Sequence, residues 1–217
     1  RAPFTTSTLQ QQAARSFRFS AARTMRIAQD LYEGIVQENS EPDGLITYMR
    51  TDSTNLAENA LIEAEKFIIT KYGSDYSSGP RRYKTKSKSA QEAHEAVRPT
   101  SIENTPEKVA QYLSSEQLRL YTMIWKRTVA SQMTDAIVDN TGVDIKAVAI
   151  NGKEYIVRAT GSVIKFDGYR KLYIETRDED AQNDESAQLP LMQKGDSLEK
   201  QTINADQKFT QPPPRFT

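Results

Sequence analysis

The sequence contains no cysteine and only one histidine, and these two shortages exclude several kinds of functional site. Without cysteine there is no disulfide, no thiol nucleophile and no cysteine-ligated zinc. With a single histidine, a metal site built from several imidazoles is excluded as well. The candidates for chemistry are therefore hydroxyl, phenol, carboxylate and basic side chains, together with His94.

The chain also lacks an excess of either charge and any long apolar run. Its 217 residues carry 29 basic and 29 acidic side chains, so a nucleic-acid contact must come from local clustering. No stretch approaches the ~20 apolar residues of a membrane-spanning helix, and the first residues do not form a signal peptide. We therefore expect a soluble cytoplasmic protein. The sequence starts without Met and ends in the connector-like QPPPRFT, so we expect a fragment.

The stretch 44–53, GLITYMRTDS, carries a phenol, a guanidinium and a carboxylate at alternate positions. Alternate residues of an extended strand share a face, so we expect Tyr48, Arg50 and Asp52 on one side together with Ile46. A phenol, whose ordinary pKa is near ~10, needs a cation to stabilise its phenolate, and an arginine can also hold a phosphate bidentately. The pattern fits attack on a phosphodiester. It also fits a surface strand with a half-buried tyrosine and a solvated arginine.

Two further segments carry candidate functional residues. His94 lies between Glu92 and Glu95, with Arg98 four residues later. A neighbouring carboxylate favours an imidazolium, which suits a phosphate contact, although a lone histidine is also commonly structural. The run 81–88 holds five basic residues and a tyrosine. It is either a solvated loop or a place where single-stranded DNA stacks and binds through its phosphates.

The motif GLITYMRTDS, followed about 45 residues later by QEAHEA, an apolar residue and Arg-Pro, resembles the two active-site signatures of type IA DNA topoisomerases. The similarity extends to PFTTSTLQQ, FDGY and QPPPRFT. It implies that Tyr48 is the nucleophile and forms a 5′-phosphotyrosyl link to a cleaved single strand. It further implies that Arg50 positions the phosphate and that His94 lies close to it. We expect DNA contacts from both motifs and the basic run, namely Thr47, Asp52, Ser53, Arg81, Arg82, Lys84, Glu92 and Arg98.

The resemblance also implies a reaction, the ATP-independent relaxation of negatively supercoiled DNA by cutting and resealing one strand. The acidic Mg²⁺-binding domain of that family lies upstream of this segment, and no Asp-x-Asp-x-Glu cluster of that kind occurs here. We therefore expect no cofactor and no metal ligand in this chain, Mg²⁺ in the intact enzyme, and little cleavage by the piece alone. The expected partners are single-stranded DNA and the remaining domains of the same polypeptide, with no membrane.

Periodicity predicts an α+β chain with a boundary near residue 134. Before it, caps at Ser7, Ser20, Asn55 and Ser114 predict helices, the longer ones at about 21–33, 56–72 and 115–132. Thr105-Pro106 predicts the start of a further short helix, because proline is tolerated at the first helical position. After it, Asn151-Gly152 predicts a type I′ hairpin, and strands are expected at about 162–166, 169–174, 189–192 and 197–203. The resemblance implies that residues 1–134 form the tyrosine domain, with a catabolite-activator-like DNA-binding fold, and that 135–217 form part of an antiparallel β hinge domain.

Two other classes of protein stay open from the sequence. A tyrosine recombinase or type IB-like enzyme also uses a tyrosine, but forms a 3′ link and needs two arginines and a histidine. His94 with Arg98 is compatible with that class, although Tyr48 lies early in the chain. The other class is a non-catalytic single-strand-binding or hinge module in which Tyr48 only packs. Neither explains the presence of both motifs.

Overall fold

The computed structural model describes residues 1–34, 44–83, 94–173, 189–190, 192–202, 204, 207 and 209–210. These residues form the helices α1 (Thr6–Phe17), α2 (Ala21–Glu33), α3 (Glu58–Tyr72), α4 (Pro106–Val109) and α5 (Ser115–Gln132). The antiparallel strands β1 (Ile137–Val148) and β2 (Glu154–Phe166) follow, and short 3₁₀ helices lie at Ser74–Tyr76, Ala110–Tyr112 and Gly168–Lys171. The α+β composition expected from the sequence is confirmed. None of the helices described is long and apolar enough to cross a membrane.

Most helix ends follow from local sequence signals. Ser20 caps α2, and Ser114 with Gln117 forms a capping box at the start of α5, as predicted. The cap of α1 is Thr5 rather than the predicted Ser7, because the helix begins at Thr6. Helix α3 has no side-chain cap, so the cap predicted at Asn55 is wrong.

The core of the helical part is built around α5. Trp125 of this helix is 4% exposed, and its ring meets that of Phe67 edge-on at a centroid distance of 5.6 Å. Its indole N–H donates to the carbonyl oxygen of Ile102. Trp125 is thus a packing residue. Other fully buried members of the core are Leu9, Ala13, Ala28, Leu31, Ile68, Leu120, Tyr121, Ile124 and Val129.

Segment 44–53 is extended but does not belong to a sheet, so the strand predicted there is wrong. Its first half hydrogen-bonds to residues 96–100, and its second half to Thr6. An isolated bridge joins Ile46 to Pro99. The pairing does not extend beyond this bridge, because the N–H of Leu45 bonds to Leu31 and the N–H of Arg98 bonds to the hydroxyl of Thr47. The segment is therefore fixed at separate points by two neighbours distant in sequence.

Strands β1 and β2 form a two-stranded ribbon that pairs Ile137 with Phe166 at one end and Val148 with Glu154 at the other. Strand β2 is continuous, so the separate strand predicted at 162–166 is part of it. Gly152 has φ +79°, whereas Asn151 has no positive φ. A type I′ turn needs positive φ at both central residues, so the hairpin instead has the longer loop that ends in a left-handed glycine.

After β2 the chain turns back onto the helical part. A 3₁₀ helix at Gly168–Lys171 replaces the strand predicted at 169–174, because the N–H of Tyr169 bonds to the carbonyl of Thr134. Gly168 is needed at this contact, since it has φ +48° and an added Cβ would lie 2.5 Å from the same carbonyl oxygen. The end of the ribbon is thereby anchored beside α5. The domain division near 134 stays a prediction.

The strands predicted at 189–192 and 197–203 are absent from the residues described in those ranges. The described part forms a local turn, in which the N–H of Gln193 donates to the carboxylate of Asp196. Alternating sequence alone does not stabilise a strand, which needs a neighbour to pair with and a face to bury.

Candidate active site

The alternation predicted for segment 44–53 holds from Tyr48 onward. The side chain of Tyr48 is 40% exposed, and Arg50 and Asp52 also lie in solvent. The intervening residues are buried, namely Met49, Thr51 and Ser53. Ile46, predicted on the face of Tyr48, is instead 1% exposed, because it packs where the segment bridges to residues 96–100. The segment thus presents a phenol, a guanidinium and a carboxylate outward from a buried backbone.

An open cleft brings together the residues proposed from the two separate motifs. Tyr48, Arg50 and His94 all line it, although His94 lies in the second motif. The other lining residues are Thr6, Ser7, Thr51 and Asp52. A phenol, a guanidinium and an imidazole therefore meet on one solvent-accessible surface.

The ring of Tyr48 lies between two other aromatic rings. Tyr32, near the end of α2, meets it edge-on at a centroid distance of 5.4 Å, and His94 lies at 6.2 Å on a tilted plane. Edge-on aromatic contacts orient a ring as well as packing it. The backbone of Leu31 also accepts the N–H of Leu45, which ties α2 to the segment that carries Tyr48. Tyr32 is a site residue that spacing in the sequence did not indicate.

Thr47 joins the first motif to the second. Its N–H donates to the carbonyl of Arg98 at 2.9 Å, and its hydroxyl donates to the carbonyl of Ala96 at 2.7 Å. The same hydroxyl accepts the N–H of Arg98 at 3.0 Å. These bonds fix Tyr48 relative to the segment that begins at His94. Thr47 was predicted to contact DNA, and in the structure its hydroxyl is occupied by the protein backbone.

Arg98 is directed into the protein. Its side chain is 9% exposed, and its Nε donates to Glu95 at 2.5 Å. Its Nη1 donates to the carbonyl oxygens of Pro99 at 2.9 Å and Thr100 at 3.3 Å. Ser53 is buried as well, at 1% exposure. DNA contacts by Arg98 and Ser53 stay predictions, and this geometry favours a role in holding the loop after His94.

The described part of the basic run is paired with acidic groups. Arg81 donates from both Nη1 and Nη2 to the two carboxylate oxygens of Asp135, whereas Arg82 donates from Nη2 alone to both carboxylate oxygens of Glu58. The hydrogen bond from Arg81 lowers the pKa of the Asp135 carboxyl. The hydroxyl of Tyr83 donates to a backbone carbonyl of α5, and burial raises its pKa. DNA contacts by Arg81 and Arg82 stay predictions. Lys84 and Glu92, which were also predicted to contact DNA, lie outside the described residues.

Among the residues that the structure describes, no group of three or more histidine, aspartate or glutamate side chains is arranged to hold a metal ion. Asp52 is the acidic residue of the cleft, and one exposed carboxylate does not make a metal site. The chemistry this cleft can offer is that of a phenol nucleophile flanked by a guanidinium and an imidazole.

Comparisons with known proteins show the family of this chain. A family model described as DNA topoisomerase matches residues 1–217. DNA topoisomerase 1 of Xylella fastidiosa strain Temecula1 is 50% identical over 99% of this chain, and so is that of strain 9a5c. The full-length topoisomerase I of Thermotoga maritima is 40% identical and superimposes over 82% of this chain with a TM-score of 0.64. The chain spans 26% of the length of the Xylella proteins and 28% of the Thermotoga chain. The chain belongs to the type IA DNA topoisomerase family.

Proposed function

We propose that this chain carries the nucleophile of a type IA DNA topoisomerase, that Tyr48 cleaves one DNA strand, and that the break is resealed after strand passage. The observation that carries the proposal is the meeting of Tyr48, Arg50 and His94 in one open cleft. Two of these residues come from one motif and the third from another, about 45 residues away. Packing alone gives no reason to place these three groups along one open surface.

In the proposed reaction, the phenolic oxygen of Tyr48 attacks the phosphorus of a phosphodiester. One bond forms between that oxygen and phosphorus, and the bond from phosphorus to the 3′ oxygen breaks. The phenolic proton leaves the nucleophile, and the 3′ oxygen departs as a hydroxyl after gaining a proton. The reverse attack by this hydroxyl restores the DNA and frees Tyr48. One ester is exchanged for another, so the cycle requires no ATP.

Arg50 and His94 are proposed to act on the non-bridging oxygens of the phosphate. Preorganised positive donors stabilise the charge that builds up as the nucleophile attacks, and this is commonly the largest catalytic contribution. Arg50 makes no hydrogen bond or ion pair with any residue in the described ranges, so its donors are free for a phosphate. The edge-on contact of Tyr32 with Tyr48 keeps the phenol directed toward the same cleft.

The remaining parts of the reaction are proposed to come from the rest of the polypeptide. The family resemblance implies an acidic Mg²⁺-binding domain, and we propose that it lies outside this chain. We further propose that the helical part is the DNA-binding domain of the catabolite-activator type, and that the ribbon belongs to the β hinge. The isolated chain is expected to bind a single strand but not to relax negatively supercoiled DNA efficiently.

The test uses the full-length polypeptide that contains this chain, mixed with Mg²⁺ and an oligonucleotide labelled at its 3′ or its 5′ end. Denaturation traps the covalent adduct, and Tyr48→Phe is the control, because it keeps the ring and removes the nucleophilic oxygen. Retention of the 3′-end label by wild-type protein and its loss in Tyr48→Phe are expected. Retention of the 5′-end label would indicate a recombinase-like 3′ link. Binding without any adduct would indicate a non-catalytic module.

A further inference from the structure

Thr6, the first residue of α1, makes a cluster of hydrogen bonds to the backbone on both sides of Arg50. Its hydroxyl lies 2.7 Å from the carbonyl oxygen of Met49, to which it donates. The same hydroxyl accepts the N–H of Thr51 at 2.8 Å. The backbone N–H of Thr6 in turn donates to the carbonyl of Thr51 at 2.8 Å. Both peptide units that flank Arg50 are therefore bonded to this one residue.

These bonds matter because the guanidinium of Arg50 forms no ion pair and no hydrogen bond with the described residues. A long side chain without a partner is directed only by its backbone and by the rotamers that this backbone allows. Met49 and Thr51 are only 1% and 8% exposed, so their buried side chains fix the backbone on the side of the protein interior. Thr6 holds it from the side of the cleft.

A structural role in the helix does not account for these bonds. The cap of α1 is formed by Thr5 and Thr8, whose side chains and backbone N–H groups satisfy each other in a capping box. The hydroxyl of Thr6 contributes nothing to that cap and points toward residues 49–51 instead. An alanine or valine at this position would leave the helix start intact but remove the bonds beside Arg50.

We propose that Thr6 is a positioning residue that fixes Arg50, through the Met49 and Thr51 peptide units, at the distance from Tyr48 needed for contact with the scissile phosphate. The inference rests on the proposed function of Tyr48 and Arg50. It assigns Thr6 no contact with the reacting atoms. If it is correct, the effect of losing the Thr6 hydroxyl on cleavage depends on whether Arg50 is present.

The experiment measures the rate of covalent adduct formation by the full-length polypeptide with end-labelled single-stranded oligonucleotide and Mg²⁺. Thr6→Val replaces the hydroxyl by a methyl group and keeps the shape of the side chain. Thr6→Ala removes the hydroxyl without putting a methyl group in its place. Thr6→Ser keeps the hydroxyl. The matched control is Thr5→Ala, which weakens the start of the same helix without touching the backbone around Arg50. Each Thr6 variant is also combined with Arg50→Ala, and melting temperatures are recorded.

We expect Thr6→Val and Thr6→Ala to slow cleavage about ten-fold, the effect of roughly one to two net hydrogen bonds expressed fully in the transition state. Thr6→Ser and Thr5→Ala should remain within about two-fold of wild type. In the Arg50→Ala background, the loss of the Thr6 hydroxyl should change the rate by less than about two-fold, because coupled residues are not additive.

The proposal is overturned if both Thr6 variants cleave at the wild-type rate, or if they slow the Arg50→Ala protein as much as the wild type. It is also overturned if Thr5→Ala reproduces the slowing at an equal loss of melting temperature, because the effect would then come from the helix. Absence of an adduct with the unaltered protein is a different result, which refutes the proposed function itself.

Discussion

Arg98 provides the sharpest test of whether the second motif contacts DNA or supports the site from within. Replacing it by methionine keeps a long side chain of similar shape but removes all its donors. If Arg98 is structural, the variant should be clearly less stable. If it contacts a phosphate, stability should change little and DNA binding should weaken.

The expected loss follows from the three contacts of the Arg98 guanidinium. The bond to Pro99 is short and buried, and a hydrogen bond with a charged donor contributes about 1.5–3 kcal/mol. The bond to Thr100 is 3.3 Å long and adds little. Glu95 is 32% exposed, so water partly replaces the arginine and its share is about 1 kcal/mol. Together these contacts predict a loss of about 2–4 kcal/mol for Arg98→Met.

Urea unfolding of the 217-residue chain, followed by circular dichroism, measures this loss directly. For a chain of this size it corresponds to a fall in melting temperature of about 4–16 °C. Arg98→Lys is the control, since it keeps a charge without the planar fork and should lie between wild type and Arg98→Met. The reasoning is refuted by two results together. The unfolding free energy of Arg98→Met would lie within about 1 kcal/mol of wild type, and the slope of log affinity for an oligonucleotide against log salt concentration would fall by about 0.7, the value for one phosphate contact.

Three further predictions concern the cleft and the base of the ribbon. Arg50→Ala in the full-length polypeptide should raise the barrier to cleavage by about 2–4 kcal/mol, measured as the rate of adduct formation, because a preorganised charged donor at the phosphate is lost. His94→Ala should clearly slow adduct formation but have little effect on the melting temperature, because the His94 ring lies in the open cleft. Asp135→Asn should lower the unfolding free energy by less than about 1 kcal/mol at neutral pH, since the ion pair with Arg81 is largely exposed.

The last effect has a defined pH dependence. Arg81 lowers the pKa of folded Asp135, so the stabilisation is present above the ordinary carboxyl pKa and disappears as pH falls through the folded value. Equal stability of Asp135→Asn and wild type at neutral pH, or a difference that grows in acid, would contradict this. Near-normal cleavage by Arg50→Ala would contradict the role of that residue. A lower melting temperature with intact cleavage in His94→Ala would show that His94 is structural.

The helix predictions succeeded where the signal is local. Ser20 and Ser114 are capping residues followed by helix-forming sequence, and nothing distant competes for their hydroxyls. At the start of α1, four consecutive hydroxyl residues can each act as a cap, so the local signal is ambiguous. The structure places Thr5 at the cap and Thr6 against the backbone of residues 49–51. That choice depends on a contact more than 40 residues away, which no local pattern records.

The strand predictions failed for a related reason. Alternation correctly indicated which side chains face solvent from Tyr48 onward, because burial follows the two-residue period of an extended chain, but it was wrong for Ile46. It could not indicate whether a partner strand exists. The N–H of Arg98 bonds to the hydroxyl of Thr47 rather than to a strand carbonyl, and the carbonyl of Thr134 accepts the N–H of Tyr169 where another strand was expected. In the candidate site, motif resemblance named Tyr48, Arg50 and His94, which line one cleft. Tyr32 and Thr6 became apparent only once the elements were packed together.

The ribbon formed by β1 and β2 acts geometrically as a lever. The 12 residues of β1 extend about 40 Å at ~3.3 Å per residue, while contacts that hold the ribbon are concentrated at its base. There the hydroxyl of Tyr76 donates to Asp167 at 2.6 Å, and its ring lies 4.9 Å from that of Phe166. A tilt of about 5° moves atoms some 5 Å from the pivot by about 0.4 Å, but displaces the fully exposed Ile150 at the tip by about 3.5 Å. Sub-ångström adjustments among a few side chains beside α5 are thus magnified nearly ten-fold at the far end of the ribbon.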